Sequence, residues 1–228
     1  MYPESVIFDF DGVIADTEPL HYKAFQEILA PLGLEFTWEK YCNTYMGFDD
    51  RDAFREAFNA GARPLPAEEL DHLIQVKAGL FQKIVCGGVT AYPGVIELIE
   101  QLHTAKTPIA LCSGALRSDI EPILEQLSIC SRFSCMVTAE DVPHSKPDPA
   151  SYRLAFQMLK ERYPEASLSA NRCCAIEDTP AGIASAKGAG LQVIAVLNSY
   201  PADKLLQADL VIRSLEELPE QFARLNPL

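Results

Sequence analysis

Six short apolar runs separated by helical patterns constrain the fold of this chain more than any other feature. Each run is nearly continuous in apolar residues rather than alternating, which is typical of parallel strands buried on both faces. The runs cover residues 5–8, 107–112, 136–138, 172–176, 192–196 and 209–212. Helical patterns follow at residues 95–105, 118–127, 150–162, 181–188 and 215–225. This alternation predicts an α/β fold with a doubly wound parallel sheet.

One long segment interrupts the alternation after the first predicted strand. Between residues 18 and 85 the sequence carries helical patterns without a strand-like run, and they cover residues 20–30, 38–45, 50–59 and 67–84. The chain returns to the sheet through Gly87, Gly88 and Gly94, which predict a flexible connection. We therefore expect a helical module that stands over the sheet.

Charge and composition exclude several classes of function. The net charge is −13, from 32 acidic and 19 basic residues, which disfavours nucleic acid or an anionic membrane as a partner. No apolar run reaches the roughly 18 residues that a membrane-spanning helix needs. The seven cysteines show no CxxC spacing and are expected to be reduced. With no secretion signal at the N-terminus, we expect a soluble cytoplasmic protein, a monomer or weak dimer.

Two carboxylates follow the first predicted strand. Asp9 and Asp11 lie on the same side of an extended chain, because side chains alternate with a period of two. Two carboxylates about 4 Å apart repel by roughly 4 kcal/mol at an effective dielectric constant near 20. A site that holds them together therefore needs a cation, a shared proton, or both. Gly12 allows the chain to turn directly after them.

Polar residues also follow the other predicted strands. Ser113 and Gly114 lead into a helix N-terminus, where an anion is favoured. Lys146 follows the third strand and can neutralise an anionic ligand, while Glu177 and Asp178 add oxygen ligands of the kind that Mg²⁺ prefers. Alone, each motif is also compatible with a solvated turn, a helix cap or a surface lysine. Together they meet at the carboxyl ends of parallel strands, where open α/β sheets bind ligands.

Four of these segments resemble the haloacid dehalogenase (HAD) superfamily. They are FDFDGVIADTEPLH, the strand that ends at Ser113, SKPDP, and IEDTPAGIASAKGAG. The likeness covers nearly the whole chain and is greatest to the subgroup that contains beta-phosphoglucomutase and phosphoglycolate phosphatase. It implies a Rossmann-like core, residues 1–17 and 88–228, with an inserted helical cap, residues 18–87.

The resemblance also implies catalytic roles. Asp9 would be the nucleophile that becomes a phosphoaspartate, and Asp11 the general acid and base. Ser113 and Lys146 would bind the transferring phosphoryl group, with Gly114 beside them. Magnesium would be held by Asp9, the backbone carbonyl of Asp11, Asp178 and, directly or from nearby, Glu177. A dehalogenase is not expected to carry a carboxylate at position 11, so phosphoryl transfer is favoured.

Residues of the cap would select the substrate. His21 and Lys77 resemble a histidine and a basic residue that support acid–base chemistry in the mutases, although each is also compatible with a surface position. Mutases carry an arginine for a second phosphate in the cap loop, but Arg51 lies one place late. Where mutases have Ser-Lys-Asn, this chain has Ala115-Leu116-Arg117, so Arg117 is a candidate anion ligand or a helix-surface charge.

These observations predict a magnesium-dependent phosphatase that acts on a small phosphorylated metabolite, such as a sugar phosphate or a phosphoglycolate-like ester. A beta-phosphoglucomutase-type mutase is the alternative. A binding protein that kept the fold without activity is a third reading, disfavoured by the complete set of carboxylates and lysine.

Overall fold

A six-stranded parallel sheet forms the centre of the protein. The computed structural model describes residues 2–218 and residue 222. The strands are β1 (Val6–Phe8), β2 (Ile109–Cys112), β3 (Cys135–Val137), β4 (Cys174–Glu177), β5 (Gln192–Val196) and β6 (Leu210–Ile212). Their order is β3-β2-β1-β4-β5-β6, so the chain winds outward from β1 in one direction and then from β4 in the other. The predicted doubly wound parallel sheet is confirmed.

Both faces of the sheet are buried because its side chains alternate between two apolar clusters. Val6 and Phe8 of β1 belong to one cluster and Ile7 to the other, and all three are 0% exposed. The continuous apolar character of the predicted strands thus reflects burial on both sides. Phe8 pairs with Leu111 on one side and with Ile176 on the other, so β2, β1 and β4 end at nearly the same level.

Helices cover the two faces. On one face lie α5 (Val95–Thr104) and α6 (Arg117–Gln126), and on the other α7 (Ala150–Arg162) and α8 (Pro180–Gly188). Helix α8 begins at Pro180 after the Thr179 hydroxyl, which accepts a hydrogen bond from the amide of Gly182 and caps the helix. Of the predicted helix at 215–225, the described part contains a short 3₁₀ turn at Leu215–Glu217, and most of the remainder lies outside the described residues.

Residues 18–87, all of which the structure describes, form helices, turns and loops between β1 and β2. The helices are α1 (Glu18–Leu29), α2 (Trp38–Lys40), α3 (Asp50–Ala60) and α4 (Ala67–Val85). The chain continues from α2 as a π-helical turn, Tyr41–Tyr45, so the predicted single helix at 38–45 changes its winding midway. An apolar cluster around Phe54 and Phe58 holds these helices together.

Two segments connect residues 18–87 to the sheet, and they are hydrogen-bonded to each other. The amide of Asp16 donates to the carbonyl of Thr90 at 3.0 Å, and the amide of Tyr92 donates to the carbonyl of Ile14 at 3.0 Å. Ala15 and Ala91 form an antiparallel bridge between these contacts. The connections therefore form a short two-stranded ribbon. No helix in the described part of the chain is both long and apolar enough to cross a membrane.

Candidate active site

Polar residues from three adjacent strands and one loop meet at the carboxyl edge of the sheet. Asp9 follows β1, Glu177 ends β4 and Asp178 follows it. Ser113 follows β2, and its hydroxyl donates to Asp11 Oδ2 at 3.4 Å. Because β1 lies between β2 and β4, the sheet order alone brings these side chains to one place.

Lys146 joins the edge from the loop after β3. Its Nζ donates to Asp9 Oδ1 at 2.6 Å, to Glu177 Oε1 at 2.7 Å and to the carbonyl of Cys112 at 3.1 Å. The hydroxyl of Tyr152 also donates to Glu177 Oε1, at 2.8 Å. Burial would lower the pKa of Lys146, but the charges of Asp9 and Glu177 outweigh it and raise the pKa well above its ordinary value. Lys146 is therefore held as a cation, and its peptide bond to Pro147 is cis.

Three buried carboxylates form a compact group beside this lysine. Asp9, Glu177 and Asp178 each offer an oxygen within 4.8 Å of the others. Burial raises the pKa of Asp9 well above its ordinary value, as do the charges of Glu177 and Asp11, against the opposing charge of Lys146. Burial likewise raises the pKa of Asp178, and so do the charges of Glu177 and Asp9. One lysine does not neutralise three carboxylates, so the group is short of positive charge.

The donor set fits a divalent cation. Asp178 Oδ2 accepts a hydrogen bond from Ser199, whereas the buried Asp178 Oδ1 has no hydrogen-bond partner among the described residues. A buried, unsatisfied carboxylate oxygen is costly unless it binds a cation or a proton. The Asp11 side chain is not part of this group, and its backbone carbonyl as a ligand stays a prediction.

Glycine at position 12 keeps the cluster compact. Its φ is +75°, and an added Cβ would lie 1.8 Å from Asp178 Oδ2. A side chain here would displace Asp178, so the close approach of the loops after β1 and β4 requires a glycine at position 12.

Asp11 occupies a different environment from Asp9. It accepts a hydrogen bond from the Thr17 hydroxyl, and His21 Nε2 lies 3.2 Å from its Oδ1. Burial alone would raise the pKa of Asp11, but the attraction of His21, the hydrogen bonds from His21 and Thr17, and the charge of Lys77 outweigh burial and lower the pKa. The two neighbouring carboxylates thus have opposite electrostatic surroundings: in the free protein Asp9 favours its protonated form and Asp11 its ionised form.

His21 is oriented by Lys77. Lys77 is 0% exposed, and its Nζ lies 2.7 Å from His21 Nδ1. Because an ammonium group can only donate, Nδ1 accepts from Lys77 and Nε2 is left to donate to Asp11. The His21 ring also stacks on Phe81 at a centroid distance of 4.1 Å. The cap thereby fixes a hydrogen-bond donor against the side chain of Asp11.

A cavity of about 50 Å³ lies between the strand edge and the cap. From the core it is lined by Asp9, Asp11, Gly114, Ala115, Lys146 and Thr179, and from the cap by Glu18, His21, Phe25, Tyr41, Gly47, Phe48 and Asp50. The sequence motifs do not predict Glu18, Phe25 or Tyr41 as lining residues, whereas Asp50 lies in the loop before Arg51 that resembles the substrate-facing loop of the mutases. For Glu18 and Phe25 a signal existed, because they share one face of α1 with His21 at helical spacing.

The fold and this edge of polar residues are those of a known enzyme family. The family model for haloacid dehalogenase-like hydrolases matches residues 6–196, which includes β1 to β5 and the helices between β1 and β2. The chain belongs to this family. It is therefore a hydrolytic enzyme of the HAD type, as its strand-end motifs predicted.

Other HAD proteins resemble the chain over nearly their full length. Protein CbbY of Rhodobacter capsulatus is 30% identical over 96% of this chain and 96% of that protein. The phosphorylated carbohydrates phosphatase of Thermotoga maritima is 28% identical over 91% of this chain and 92% of that protein. The crystal structure of CbbY from Rhodobacter sphaeroides in complex with phosphate covers 95% of this chain and 96% of that chain, at 26% identity and a TM-score of 0.83.

Of the predicted substrate ligands of this HAD enzyme, Gly114 and His21 line the cavity, whereas Lys77, Arg51 and Arg117 do not. Arg51 Nη2 donates to Asp49 Oδ2 at 2.9 Å and to the carbonyl of Ala139 at 3.0 Å, so it links cap and core beside the cavity. The guanidinium of Arg117 donates instead to the carbonyl of Met136 at 3.2 Å. Both arginines find anionic or carbonyl partners of their own, which spacing in the sequence could not show.

Proposed function

We propose that this HAD enzyme is a magnesium-dependent phosphatase that hydrolyses a small phosphorylated metabolite through a phosphoaspartate at Asp9. The observation that carries the proposal is the pairing of Asp9 with Lys146 at 2.6 Å next to an Asp11 that is held separately by Thr17 and His21. One carboxylate faces the cationic side of the site, and the other faces the cap, from which the leaving group would come.

The first half of the reaction uses both aspartates. A carboxylate oxygen of Asp9 attacks phosphorus, and the bond between phosphorus and the leaving oxygen breaks. Asp11 gives its proton to that oxygen, a service that typically contributes about 10²–10⁴-fold to the rate. In the free enzyme the pKa of Asp11 is lowered, but an arriving phosphate dianion adds negative charge beside it and raises its proton affinity.

The second half regenerates the enzyme. Water attacks the phosphorus of the phosphoaspartate and gives its proton to Asp11, and the bond between phosphorus and Asp9 breaks. Lys146 holds the phosphoryl oxygens in both halves, together with Ser113 and the backbone at Gly114. Fixed donors of this kind stabilise charge without rearranging during the reaction.

Asp9, Glu177 and Asp178 would hold Mg²⁺, which prefers carboxylate oxygens. When bound, the ion supplies the positive charge that favours an ionised Asp9 and offsets its repulsion of the phosphate dianion. The raised pKa of Asp9 supports this assignment, because without added positive charge the buried carboxylate tends to take up a proton.

Two observations support a small sugar phosphate as the substrate class. The relative from Thermotoga maritima is named for phosphorylated carbohydrates, and the CbbY structure holds phosphate.

All seven cysteines are free, which is consistent with a reducing compartment such as the cytoplasm, where such metabolites occur. Residues 18–87 would act as a cap that closes over the bound ester.

A phosphosugar mutase is the second candidate, favoured by the Lys77–His21–Asp11 contacts that resemblance associates with mutases. A mutase would isomerise a sugar phosphate when primed by a bisphosphate and release little free phosphate. A phosphatase would release phosphate in proportion to the ester consumed.

The test is turnover of p-nitrophenyl phosphate and of a panel of phosphorylated metabolites with and without magnesium. We expect metal-dependent phosphate release by the wild-type enzyme and none by Asp9→Asn, which keeps the shape of the side chain and removes the nucleophile. Asp71→Asn, an exposed position on α4, is the matched control and should keep full activity. An active Asp9→Asn variant would remove Asp9 from its proposed role.

A further inference from the structure

The cap side of the cavity is acidic. Of the seven cap residues that line it, Glu18 and Asp50 carry carboxylates, and His21 is already engaged with Asp11. The phosphate site on the core side is served by Lys146. The two ends of the cavity therefore differ in charge: the core end attracts an anion and the cap end does not.

Asp50 is only partly buried, whereas Glu18 is buried and accepts a hydrogen bond from the Tyr41 hydroxyl. Asp50 is the first residue of α3, and its Oδ1 lies 2.7 Å from Lys77 Nζ. Its Oδ2 is buried and has no hydrogen-bond partner among the described residues, although Asp50 lines the cavity. This oxygen can therefore accept a hydrogen bond from a bound ligand.

The charge of Lys77 is not available to a second anion. Its ammonium group is shared between Asp50 and Asp119, at 2.7 and 3.8 Å. The rings of Phe25 and Phe81 enclose it at 5.2 and 5.0 Å from Nζ. Because two carboxylates surround one ammonium group, the group formed by Lys77, Asp50 and Asp119 has a net negative charge.

The nearby arginine does not compensate. Arg51 follows Asp50 directly, but its guanidinium is bound to Asp49 and to the carbonyl of Ala139. The remaining cap surface of the cavity is largely aromatic, from Phe25, Tyr41 and Phe48. Aromatic rings with a carboxylate acceptor suit the C–H faces and hydroxyl groups of a sugar.

From these contacts we infer that Asp50 is a specificity-determining residue, which accepts a hydroxyl from the uncharged sugar part of a monophosphate and rejects a substrate with a second phosphate. The inference rests on the proposed phosphatase function and adds its substrate class. A second phosphate at the cap end would meet carboxylates at short range, where like charges repel strongly because the site is shielded from water.

The test compares each sugar monophosphate with its own bisphosphate. Triose, pentose and hexose pairs, among them glucose 6-phosphate and glucose 1,6-bisphosphate, are assayed by kcat/KM for phosphate release with magnesium. We expect the wild-type enzyme to favour a monophosphate by at least about tenfold. Asp50→Asn removes the charge and keeps the shape, and it should lower this preference at least about fivefold, because Lys77 is then less neutralised. Asp71→Asn removes one exposed charge from the cap and should leave the preference unchanged.

The outcomes separate the inference from the proposed function. If the wild-type enzyme uses bisphosphates as well as monophosphates, or if Asp50→Asn keeps the wild-type preference, the inference is wrong while the phosphatase function stands. If the wild-type enzyme hydrolyses p-nitrophenyl phosphate but none of the sugar monophosphates, the inference is also wrong. Absence of metal-dependent hydrolysis of every ester, p-nitrophenyl phosphate included, would instead overturn the phosphatase function itself.

Discussion

The carboxylate of Asp119, on the core helix α6, lies 3.8 Å from the ammonium group of Lys77, on the cap helix α4. Both side chains are almost completely buried, at 1% and 0% exposed. Burial raises the pKa of Asp119 to about 6, although Lys77 and His21 oppose the rise. This contact joins the two parts of the molecule through a group that titrates near neutral pH.

The first prediction concerns the pH dependence of stability. A carboxyl group with a raised pKa in the folded state favours folding while it is protonated, and this contribution is lost as the pH rises through about 6. Asp119→Asn cannot ionise, so its stability relative to wild type should increase by roughly 2–3 kcal/mol between about pH 4 and about pH 8. Urea denaturation at several pH values measures the difference. Glu125→Gln, an exposed change on the same helix, should show no such trend. Parallel curves for Asp119→Asn and wild type would contradict the assignment.

The second prediction compares two helical glycines. An added Cβ at Gly182, in α8, would lie 1.8 Å from Glu177 Oε1, whereas one at Gly79, in α4, would meet nothing within 4 Å. Gly182→Ala must displace Glu177 from Lys146, so it should destabilise the fold by about 1–3 kcal/mol and weaken metal binding. Gly79→Ala should stabilise it by about 0.5–1 kcal/mol, because alanine loses less backbone entropy in a helix. Thermal unfolding and magnesium titration measure both effects. Equal stability of the two variants would show that Glu177 is not confined as described.

The third prediction links magnesium to pH. The pKa values of Asp9 and Asp178 are raised in the ion-free protein, so their protonated forms are favoured and stability falls as the pH rises through these pKa values. A cation replaces the protons, so its binding should release them and grow tighter with rising pH. Calorimetry in two buffers of different ionisation enthalpy measures the proton release. Magnesium affinity that is independent of pH would contradict the placement of the ion among these carboxylates.

The fourth prediction concerns closure. A cavity of about 50 Å³ is smaller than a sugar phosphate, so we expect residues 18–87 to move away from the core when one enters. We expect the radius of gyration measured by X-ray scattering to fall when magnesium and vanadate are added together. Arg51→Ala removes the contact with Ala139 and should make the free enzyme more open. Scattering curves that stay unchanged on addition of both ligands would indicate a fixed cap.

The strand-end residues could be predicted because short, local patterns determine them. Asp9, Ser113 and Glu177 each lie at the end of an apolar run, and the order of a doubly wound sheet brings such ends together. The same reasoning predicts Lys146, which follows the third run. For these residues, the predicted strands and their order in the sheet are enough to place them at one site.

The cap residues could not be predicted to the same depth, because their positions depend on how four helices pack over the core. Asp50 and Arg51 are neighbours in sequence, yet one lines the cavity and the other binds the carbonyl of Ala139. The orientation of α3 about its own axis determines which of the two side chains faces the cavity. No local sequence pattern predicts that orientation. The partner of Lys77 on the core, Asp119, is likewise set by packing between distant segments.

The paired connections at residues 14–16 and 90–92 determine how the cap can swing. Two connections without hydrogen bonds between them would let residues 18–87 rotate freely. A hydrogen-bonded ribbon resists twisting and bends most easily perpendicular to its own plane. We therefore expect residues 18–87 to move mainly in one direction, about this ribbon. When the cavity opens about the ribbon, the gap between residues 18–87 and the sheet should be widest on the side opposite the ribbon. Substrates should enter from that side.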